Sequence, residues 1–302
     1  MARTKAQTIM IKEHKDNPVF GMLTALTAFF LFAVMNAFAK LLSEDFHVVE
    51  IAFWRNLLCI FPIVIYFYLT NQTDLMKPKK PRAVYARGAL GALSLVVTFQ
   101  AFILMPMADA TAFVFTAALI APVMAIFFLS EKVGPYRWAA IAIGFCGVLI
   151  MAQPTGDTNY LGIAFALSAA FIHAVMQVLL RHIGKADHPM TTVFYFVTIG
   201  CLLTAPFIPF VGHMPSAEDF LLLIPLAASG GIAQIMISNA FKYAEASVVS
   251  VFNYSGIVWA TALGWFIFGD WPALQIWIGA AIVISCNLFI FWRERQIQKK
   301  SY

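Results

Sequence analysis

Several polar side chains of this sequence lie inside long apolar runs, at spacings that would place them on one face of a helix. Asn36 is followed four residues later by Lys40, and His173, Gln177 and Arg181 repeat this spacing in a second run. Residues four apart stand one above the other on a helix. Amides, an imidazole and cations arranged in this way could bind a polar ligand, or they could hydrogen-bond neighbouring helices.

Other apolar runs contain carboxamides, aromatic rings and one further cation. Gln100 and Asn239 lie in two different runs, whereas Trp54 and Arg55 are adjacent. Aromatic rings in such a setting suit a flat or heterocyclic ligand, because rings stack and attract cations. No residue is predicted to be catalytic or to bind a metal, and no cofactor is predicted. The predicted ligand-binding residues are Asn36, Lys40, Trp54, Arg55, Gln100, His173, Gln177, Gln234, Asn239, Asn253 and Tyr254.

Three of these residues have competing interpretations. Arg55 could gate a cavity or contact an anionic ligand, or its long side chain could snorkel to water. Glu50, about one turn earlier, could pair with it, and Lys40 has the same ambiguity as Arg55. His173 is the only histidine deep within an apolar run. Burial disfavours the charged form of its imidazole. The side chain could couple transport to a proton, donate a hydrogen bond to a ligand, or merely bond a backbone carbonyl.

The elements that position these residues are predicted to be membrane-spanning helices. Of the 302 residues, 61% are apolar and only 12% are charged, whereas a soluble domain has about 25% charged residues. A helix of roughly 20 residues crosses the hydrocarbon of a bilayer. Ten runs meet this length, at 19–42, 49–70, 83–104, 109–130, 136–153, 160–181, 190–211, 219–241, 247–268 and 272–292.

Among the loops that join these ten runs, those with basic residues alternate with those that have none. Eighteen of the twenty Lys and Arg residues lie in the two termini, in the even-numbered loops or at the helix ends beside those loops, while the odd-numbered loops have none. We call the side of the molecule that has the even-numbered loops and both termini the even-loop face, and the side that has the odd-numbered loops the odd-loop face. Loops rich in Lys and Arg stay in the cytoplasm, so both termini are predicted to be cytoplasmic.

The chain also contains an internal repeat with a period of about 140 residues. Residues 33–36 (AVMN) match residues 174–177 (AVMQ), and Phe53-Trp54 matches Phe194-Tyr195, both at a shift of 141. Gly91 matches Gly230 at a shift of 139, and Glu131 matches Asp270. The predicted organisation is an N-terminal tail at 1–18, five-helix repeats at 19–153 and 160–292, and a C-terminal tail at 293–302.

Five helices per repeat imply that the two repeats cross the membrane in opposite directions. The predicted fold is thus an all-α membrane protein with ten transmembrane helices in two inverted five-helix repeats. Many secondary transporters are built in this way, and their substrate site lies near the membrane midplane where the repeats meet. The repeat is the strongest functional indication in the sequence.

In length, helix number and local motifs, the chain resembles the drug/metabolite transporter superfamily of the EamA type. The motifs are the acidic residues that close helices four and nine, Glu131 and Asp270, and residues 50–55 (EIAFWR) entering helix two. The second helix and residues 99–138 are similar to riboflavin and S-adenosylmethionine carriers. The resemblance to the superfamily implies a secondary transporter and leaves its substrate and direction open. The similarity to riboflavin and S-adenosylmethionine carriers favours a vitamin or a nucleoside-like cofactor as the cargo, and the alternative is an exporter of amino acids or drugs.

Other functional classes fit the sequence less well. It contains no G-x-S-x-G or H-E-x-x-H motif and no G-x-x-x-x-G-K-[ST] loop, so neither an enzyme nor ATP-driven transport by this chain alone is predicted. A scaffold would normally have a soluble domain. The formal charge of +5 comes from basic residues in the short segments between apolar runs, which is typical of membrane topology. Nucleic-acid binding is therefore not predicted. The predicted partners are a small-molecule substrate and the lipid bilayer of a bacterial inner membrane. A second copy of the chain, forming a homodimer, is a further candidate partner.

Overall fold

The computed structural model describes residues 18–129, 135–152, 159–183, 187–243, 249 and 252–300. This part of the chain forms ten main helices and no strand. They are α1 (Pro18–Leu42), α2 (Val48–Leu69), α3 (Pro81–Leu104), α4 (Met107–Val114 and Ala117–Leu129), α5 (Pro135–Met151), α6 (Tyr160–Ile183), α7 (Pro189–Thr204), α8 (Phe220–Tyr243), α9 (Ser255–Leu263) and α10 (Leu274–Lys300). The ten predicted runs and these ten helices agree in number and order.

Length and composition alone qualify five helices as membrane spans: α1, α2, α3, α8, and α7 with its continuation to Val211. The described apolar parts of the other five helices are shorter, at 10–17 residues. Two of these are irregular. A turn at Phe115 and Thr116 divides α4, and α9 continues into a π-helical turn, Gly264–Phe268. Helix α10 extends beyond its predicted end at 292 to Lys300.

The two five-helix repeats are packed into each other rather than side by side. The most extensive helix contacts all join one repeat to the other, with α1 on α8, α3 on α6 and α5 on α10. The repeat relates α1 to α6 and α8 to α3, so the contact of α1 with α8 is equivalent to the contact of α6 with α3. Three further pairs also pack together: α2 with α7, α4 with α9, and α5 with α10. Each of these last three pairs joins equivalent helices, so a pseudo-two-fold axis passes between them.

Contacts between loops confirm that the chain has two distinct faces. On the odd-loop face, the buried carboxylate of Glu50 accepts a hydrogen bond from the backbone N–H of His213 at 3.0 Å. On the even-loop face, Asp187 accepts from the backbone N–H of Lys80 at 3.0 Å, and Thr191 donates to the carbonyl of Leu75 at 2.6 Å. These contacts tie loops that are distant in sequence, as alternating helices require.

Two apolar clusters form the core on either side of the molecule. One joins α2, α7 and α8 and includes Met35 of α1. The other joins α4, α5, α9 and α10 and includes Ala37 of α1. Helix α1 thus contributes to both clusters, since Met35, Ala39 and Leu42 belong to the first and Ala37 to the second.

Aromatic side chains are exposed near both ends of the helices. Trp271 lies 5.9 Å from Trp265 and 6.2 Å from Trp277 between ring centroids on the odd-loop face, and all three are exposed. On the even-loop face, the guanidinium of Arg293 lies 4.8 Å from the ring centroid of Tyr136. Tryptophan and tyrosine concentrate where hydrocarbon meets headgroups, and exposed rings at both ends of the helices fit that distribution.

Candidate functional site

Arg55 lies in the contact between the two repeats. Its side chain on α2 is 0% exposed, and its guanidinium carbon lies 5.3 Å from the ring centroid of Phe196 on α7. Arg55 and Phe196 are separated by 141 residues, the same shift that matches Phe53-Trp54 with Phe194-Tyr195. The two side chains are therefore repeat equivalents that meet at the pseudo-two-fold axis.

Two glycines, also repeat equivalents, bring α3 and α8 close to this pair. A β-carbon at Gly91 would lie 2.7 Å from Cε2 of Phe196 and 3.6 Å from the methyl carbon of Met176. A β-carbon at Gly230 would lie 2.9 Å from both Nε and Nη2 of Arg55 and 2.6 Å from Sδ of Met35. A larger residue at either position would have to displace the neighbouring side chains, Phe196 at residue 91 and Met35 or Arg55 at residue 230.

The guanidinium of Arg55 is only partly satisfied by the described residues. Nη1 donates to Oδ1 of Asn56 at 2.9 Å, whereas Nε and Nη2 have no hydrogen-bond partner among the residues described. Nδ2 of Asn56 is likewise without a partner there. The nearby thiol of Cys59 donates to the carbonyl of Ala227 at 3.2 Å. A polar group buried without a partner costs about 1–3 kcal/mol, and a charged one costs more.

Two expectations about Arg55 are wrong. It does not snorkel, because its side chain is fully buried. Nor does it pair with Glu50, whose carboxylate instead contacts His213, through the backbone N–H at 3.0 Å and Nδ1 at 3.5 Å. Residues five apart on a helix point about 140° away from each other, so Glu50 and Arg55 cannot share a face.

Lys40 lies at the odd-loop face, in an ion pair that joins the two repeats. Its ammonium group lies 3.0 Å from Oδ2 of Asp270, 3.2 Å from the carbonyl oxygen of Met105 and 4.7 Å from the ring centroid of Phe268. The side chains of Lys40 and Asp270 are 17% and 30% exposed. Asp109 lies within electrostatic range of both charges, and its Oδ1 has no partner among the described residues.

The glycine before Asp270 shapes the turn that presents this carboxylate. Gly269 ends the π-helical turn with φ 71°, a left-handed conformation that side chains other than glycine rarely adopt. The chain thereby leaves α9 sharply and directs Asp270 towards the end of α1. π-Helical turns inside α-helices often occur at functional sites.

The other predicted residues do not form one cluster around Arg55. Trp54 packs against Phe53 and Phe220 at 5.4 and 6.1 Å between ring centroids, within the cluster of α2, α7 and α8. Tyr254 packs in the opposite cluster, 5.5 Å from the ring centroid of Phe115. The predicted residues are thus spread through the contact between the repeats, from one core cluster to the other.

Most of the remaining candidates are half-buried amides on α1, α3, α8 and the segment before α9, and the half-buried candidate on α6 is the imidazole of His173. Asn36 Oδ1 and Trp54 Nε1 are buried without a hydrogen-bond partner among the residues that the structure describes. His173 makes no hydrogen bond to any described residue, and the side chain of Gln177 lies outside the described ones. The half-buried residues of this group are Asn36, Gln100, His173, Gln234, Asn239 and Asn253.

Sequence reasoning missed three residues that the structure brings to these sites. Phe196 follows from the repeat, since the 141-residue shift pairs it with Arg55. The repeat pairs Gly230 with Gly91, but it does not predict the contact between Gly230 and Arg55. Asp109 follows Pro106 at the start of a helix, a position that normally indicates only the first helical turn.

An apolar groove lies apart from both charged sites. It has a volume of about 350 Å³ and lies between α4 and α5. It offers no polar group to a substrate, so it is unrelated to the contact between the repeats. Its lining consists of Ile120, Val123, Trp138, Ile141, Ala142 and Phe145.

Comparison with known families identifies both repeats of the chain. The model of the EamA-like transporter family matches residues 19–153 and, again, residues 160–292. One solved crystal structure shares the fold, with a TM-score of 0.64 over 94% of this chain and 99% of the other, at 17% sequence identity.

Relatives of known function match nearly the full length of the chain. The riboflavin transporter of Vibrio cholerae is 28% identical, with 95% of this chain and 98% of the relative covered. The pseudopaline exporter of Pseudomonas aeruginosa is 28% identical, with 88% and 94% covered. The S-adenosylmethionine uptake transporter of Rickettsia prowazekii is 24% identical, with 95% and 96% covered.

Proposed function

Since this chain belongs to the EamA-like transporter family, we propose that it carries a small metabolite across a bacterial inner membrane by alternating access. The observation that carries this proposal is the packing of the two repeats across a pseudo-two-fold axis, with Arg55 buried on it. Transporters with inverted repeats bind substrate where the repeats meet and move one repeat against the other around that site. No catalysis is assigned to the chain.

The Lys40–Asp270 ion pair closes the odd-loop face in the state described. It links the end of α1 in the first repeat to the turn before α10 in the second. Opening a path from this face requires the two repeats to separate here, which breaks the ion pair. By the distribution of Lys and Arg, the odd-loop face is periplasmic and both termini are cytoplasmic.

The substrate path runs between the two apolar clusters. The polar residues in this region offer amides, an imidazole and aromatic rings, which together suit a polar heterocyclic molecule. Asn36 supports this assignment, because its Oδ1 lacks a partner among the described residues and α1 contributes to both clusters. Beside Arg55, the residues that we assign to the path are Asn36, Trp54, Gln100, His173, Gln177, Gln234, Asn239, Asn253 and Tyr254.

A vitamin or a nucleoside-like cofactor is the leading substrate class, because relatives that match over the full length include a riboflavin transporter and an S-adenosylmethionine uptake transporter. Export is the second candidate, favoured by the match to a pseudopaline exporter. An ion gradient or exchange of substrates drives either direction, since the sequence contains no nucleotide-binding loop of the G-x-x-x-x-G-K-[ST] type.

Transport by the purified protein in proteoliposomes tests this function. Radiolabelled riboflavin and S-adenosylmethionine are offered to the vesicles with and without a pH gradient, and counterflow is measured from preloaded vesicles. We expect saturable uptake of at least one compound that exceeds uptake by empty liposomes. If neither uptake nor counterflow of any compound in a broader panel of vitamins, nucleosides and amino acids exceeds that background, the proposed function is wrong.

A further inference from the structure

The second helix of each repeat begins in the same way, with a histidine that caps the helix. At the start of α2, Nδ1 of His47 accepts from the backbone N–H of Val49 at 3.3 Å. At the start of α7, Nδ1 of His188 accepts from the backbone N–H of Met190 at 3.2 Å. The two histidines are separated by 141 residues, so these helix starts are repeat equivalents on opposite faces of the molecule.

Three residues after each cap, one side chain joins the two repeats. Glu50 of α2 accepts from the backbone N–H of His213, in the loop between α7 and α8, at 3.0 Å. Its repeat equivalent, Thr191 of α7, donates to the carbonyl of Leu75, in the segment between α2 and α3, at 2.6 Å. The same position therefore connects the repeats through a carboxylate at the odd-loop face and through a hydroxyl at the even-loop face.

The odd-loop contact brings an imidazole to a buried carboxylate. Glu50 is 0% exposed, and its Oε2 has no hydrogen-bond partner among the described residues. Nδ1 of His213 lies 3.5 Å from this oxygen, while the imidazole side chain is 50% exposed and packs on Phe46. A buried charge without a counter-charge is unfavourable, and a protonated imidazole would supply the positive charge that Glu50 lacks.

Other titratable side chains of the two segments leave this pair alone. Among the described residues, Glu50 is the acidic group within ion-pair distance of His213. The short helix before His213, Ile208–Val211, is apolar. His47 is exposed, and its Nδ1 is occupied as the cap of α2. The remaining titratable groups of these segments are Glu44, Asp45, Glu218 and Asp219.

We propose that protonation of His213 closes a clasp with Glu50 and thereby favours the state in which the odd-loop face is closed. The inference rests on the proposed alternating access but concerns this one contact. The ion pair between protonated His213 and Glu50 exists only while the repeats meet at this face, because separation returns both groups to water.

The direction of the pH dependence follows from this contact. Histidine ordinarily changes its charge between pH 5 and 8. The ion pair is therefore present at the acid end of this range, and its contribution to the closed state is lost as the pH rises through it. Since the odd-loop face is assigned to the periplasm, acid outside the cell should favour the arrangement that opens to the cytoplasm.

Distances between spin labels on the two repeats test the inference without any substrate. The labels are attached to Glu44→Cys and Ala217→Cys, both exposed on the odd-loop face, in a variant without the four native cysteines. Their separation is measured by dipolar EPR in detergent at about pH 5.5 and about pH 8. We expect the ratio of short to long separations to be about tenfold higher at the acid pH, as for a hydrogen bond to a charged group.

Two substitutions of His213 assign the response to its charge. His213→Gln keeps the backbone N–H that Glu50 accepts but cannot be protonated, so the ratio should stay at its alkaline value at both pH values. His213→Lys remains charged throughout this range, so the ratio should stay near its acid value. Thermal unfolding of the same proteins is the second measurement, and the Tm advantage of the wild type over His213→Gln should be larger at the acid pH.

Two controls exclude the other contacts described above. His47→Asn retains a side chain that caps helices well, and Thr191→Val removes the equivalent contact at the even-loop face. Both variants should keep the full pH response. The inference is overturned if the wild type shows no change in the ratio, if His213→Gln responds as the wild type does, or if His47→Asn abolishes the response. Because no transport is measured, absent uptake with an intact pH response would overturn only the transport function.

Discussion

Among single residues, Glu50 shows how this fold keeps a carboxylate out of water at the odd-loop face. Its side chain is 0% exposed, yet Oε1 accepts from the backbone N–H of His213 at 3.0 Å. The contact connects the start of α2 to the loop before α8, and the ring of His213 also packs on Phe46 at 4.4 Å between centroids. Glu50 is thus part of the connection between the repeats rather than a partner of Arg55.

Glu50→Ala should therefore destabilise the protein by about 1–3 kcal/mol, because the N–H of His213 loses its acceptor. Glu50→Gln retains an acceptor oxygen and should cost clearly less. Thermal unfolding in detergent measures both, with exposed Glu44→Ala as the control, expected within about 0.5 kcal/mol of the wild type. Equal stability of Glu50→Ala and Glu44→Ala would contradict the assigned contact.

The residues also show where sequence reasoning ends. The repeat predicted the equivalence of Asn36 with Gln177 and of Gly91 with Gly230, because pattern and shift are properties of the sequence. The Lys40–Asp270 pair was not predicted, since its partners are 230 residues apart and belong to different repeats. The predicted Glu50–Arg55 pair is wrong because residues five apart in sequence lie on different faces of a helix.

At the scale of elements, α5 and α10 pack with their backbones nearly in contact. A β-carbon at Gly279 would lie 2.5 Å from the carbonyl oxygen of Gly147, and one at Gly147 would lie 2.9 Å from that of Gly279. Small residues let membrane helices approach closely, which replaces the hydrophobic driving force that lipid does not supply. This pair joins the fifth helix of each repeat.

We expect Gly279→Ala to destabilise the protein by about 1–3 kcal/mol, since the backbone of the partner helix cannot move aside as a side chain could. Gly256→Ala on α9 is the matched control, because its β-carbon would make ordinary contact with Cζ of Phe115 at 3.8 Å. That variant should be neutral or gain stability from the higher helix propensity of alanine. Equal unfolding temperatures for the two variants would argue against close packing of α5 on α10.

The helices themselves were largely predictable, since ten apolar runs of sufficient length leave few alternatives in a bilayer. Predicted and observed boundaries of α2 differ by one residue at each end, 49–70 against Val48–Leu69. The break in α4 was not predicted, because Phe115 and Thr116 are ordinary residues within an apolar run. The π-helical turn at Gly264–Phe268 likewise depends on tertiary contacts rather than on composition.

For the whole molecule, the alternation of charge predicts how the two faces are oriented. A cysteine introduced at exposed Ser216, in the loop between α7 and α8, should react with a membrane-impermeant maleimide in intact cells. One introduced at exposed Thr73, between α2 and α3, should react only after the membrane is permeabilised. Both are measured in a variant without the four native cysteines. The reverse result would place the termini outside the cell.

Alternating access further predicts that the odd-loop face opens when the Lys40–Asp270 pair is lost. A half-buried ion pair contributes about 1 kcal/mol to the closed state, so Asp270→Asn should increase the population open to this face by about fivefold. The reporter is a cysteine at residue 36, one turn below Lys40, and the measurement is its rate of modification by a charged methanethiosulfonate added from outside. Ligands and mutations act here by shifting a population that already exists.

Exchanging the two charges separates this explanation from local damage. Lys40→Asp combined with Asp270→Lys restores an ion pair of opposite polarity and should return the modification rate towards that of the wild type. Asp74→Asn removes the exposed pair with Lys77, whose side chains are 98% and 85% exposed, and should leave the rate unchanged because such pairs contribute almost nothing. An exchanged pair that reacts as fast as Asp270→Asn would show that Lys40 and Asp270 do not hold the repeats together, and closure of this face would then rest on the apolar contacts of α1 with α8 and α9.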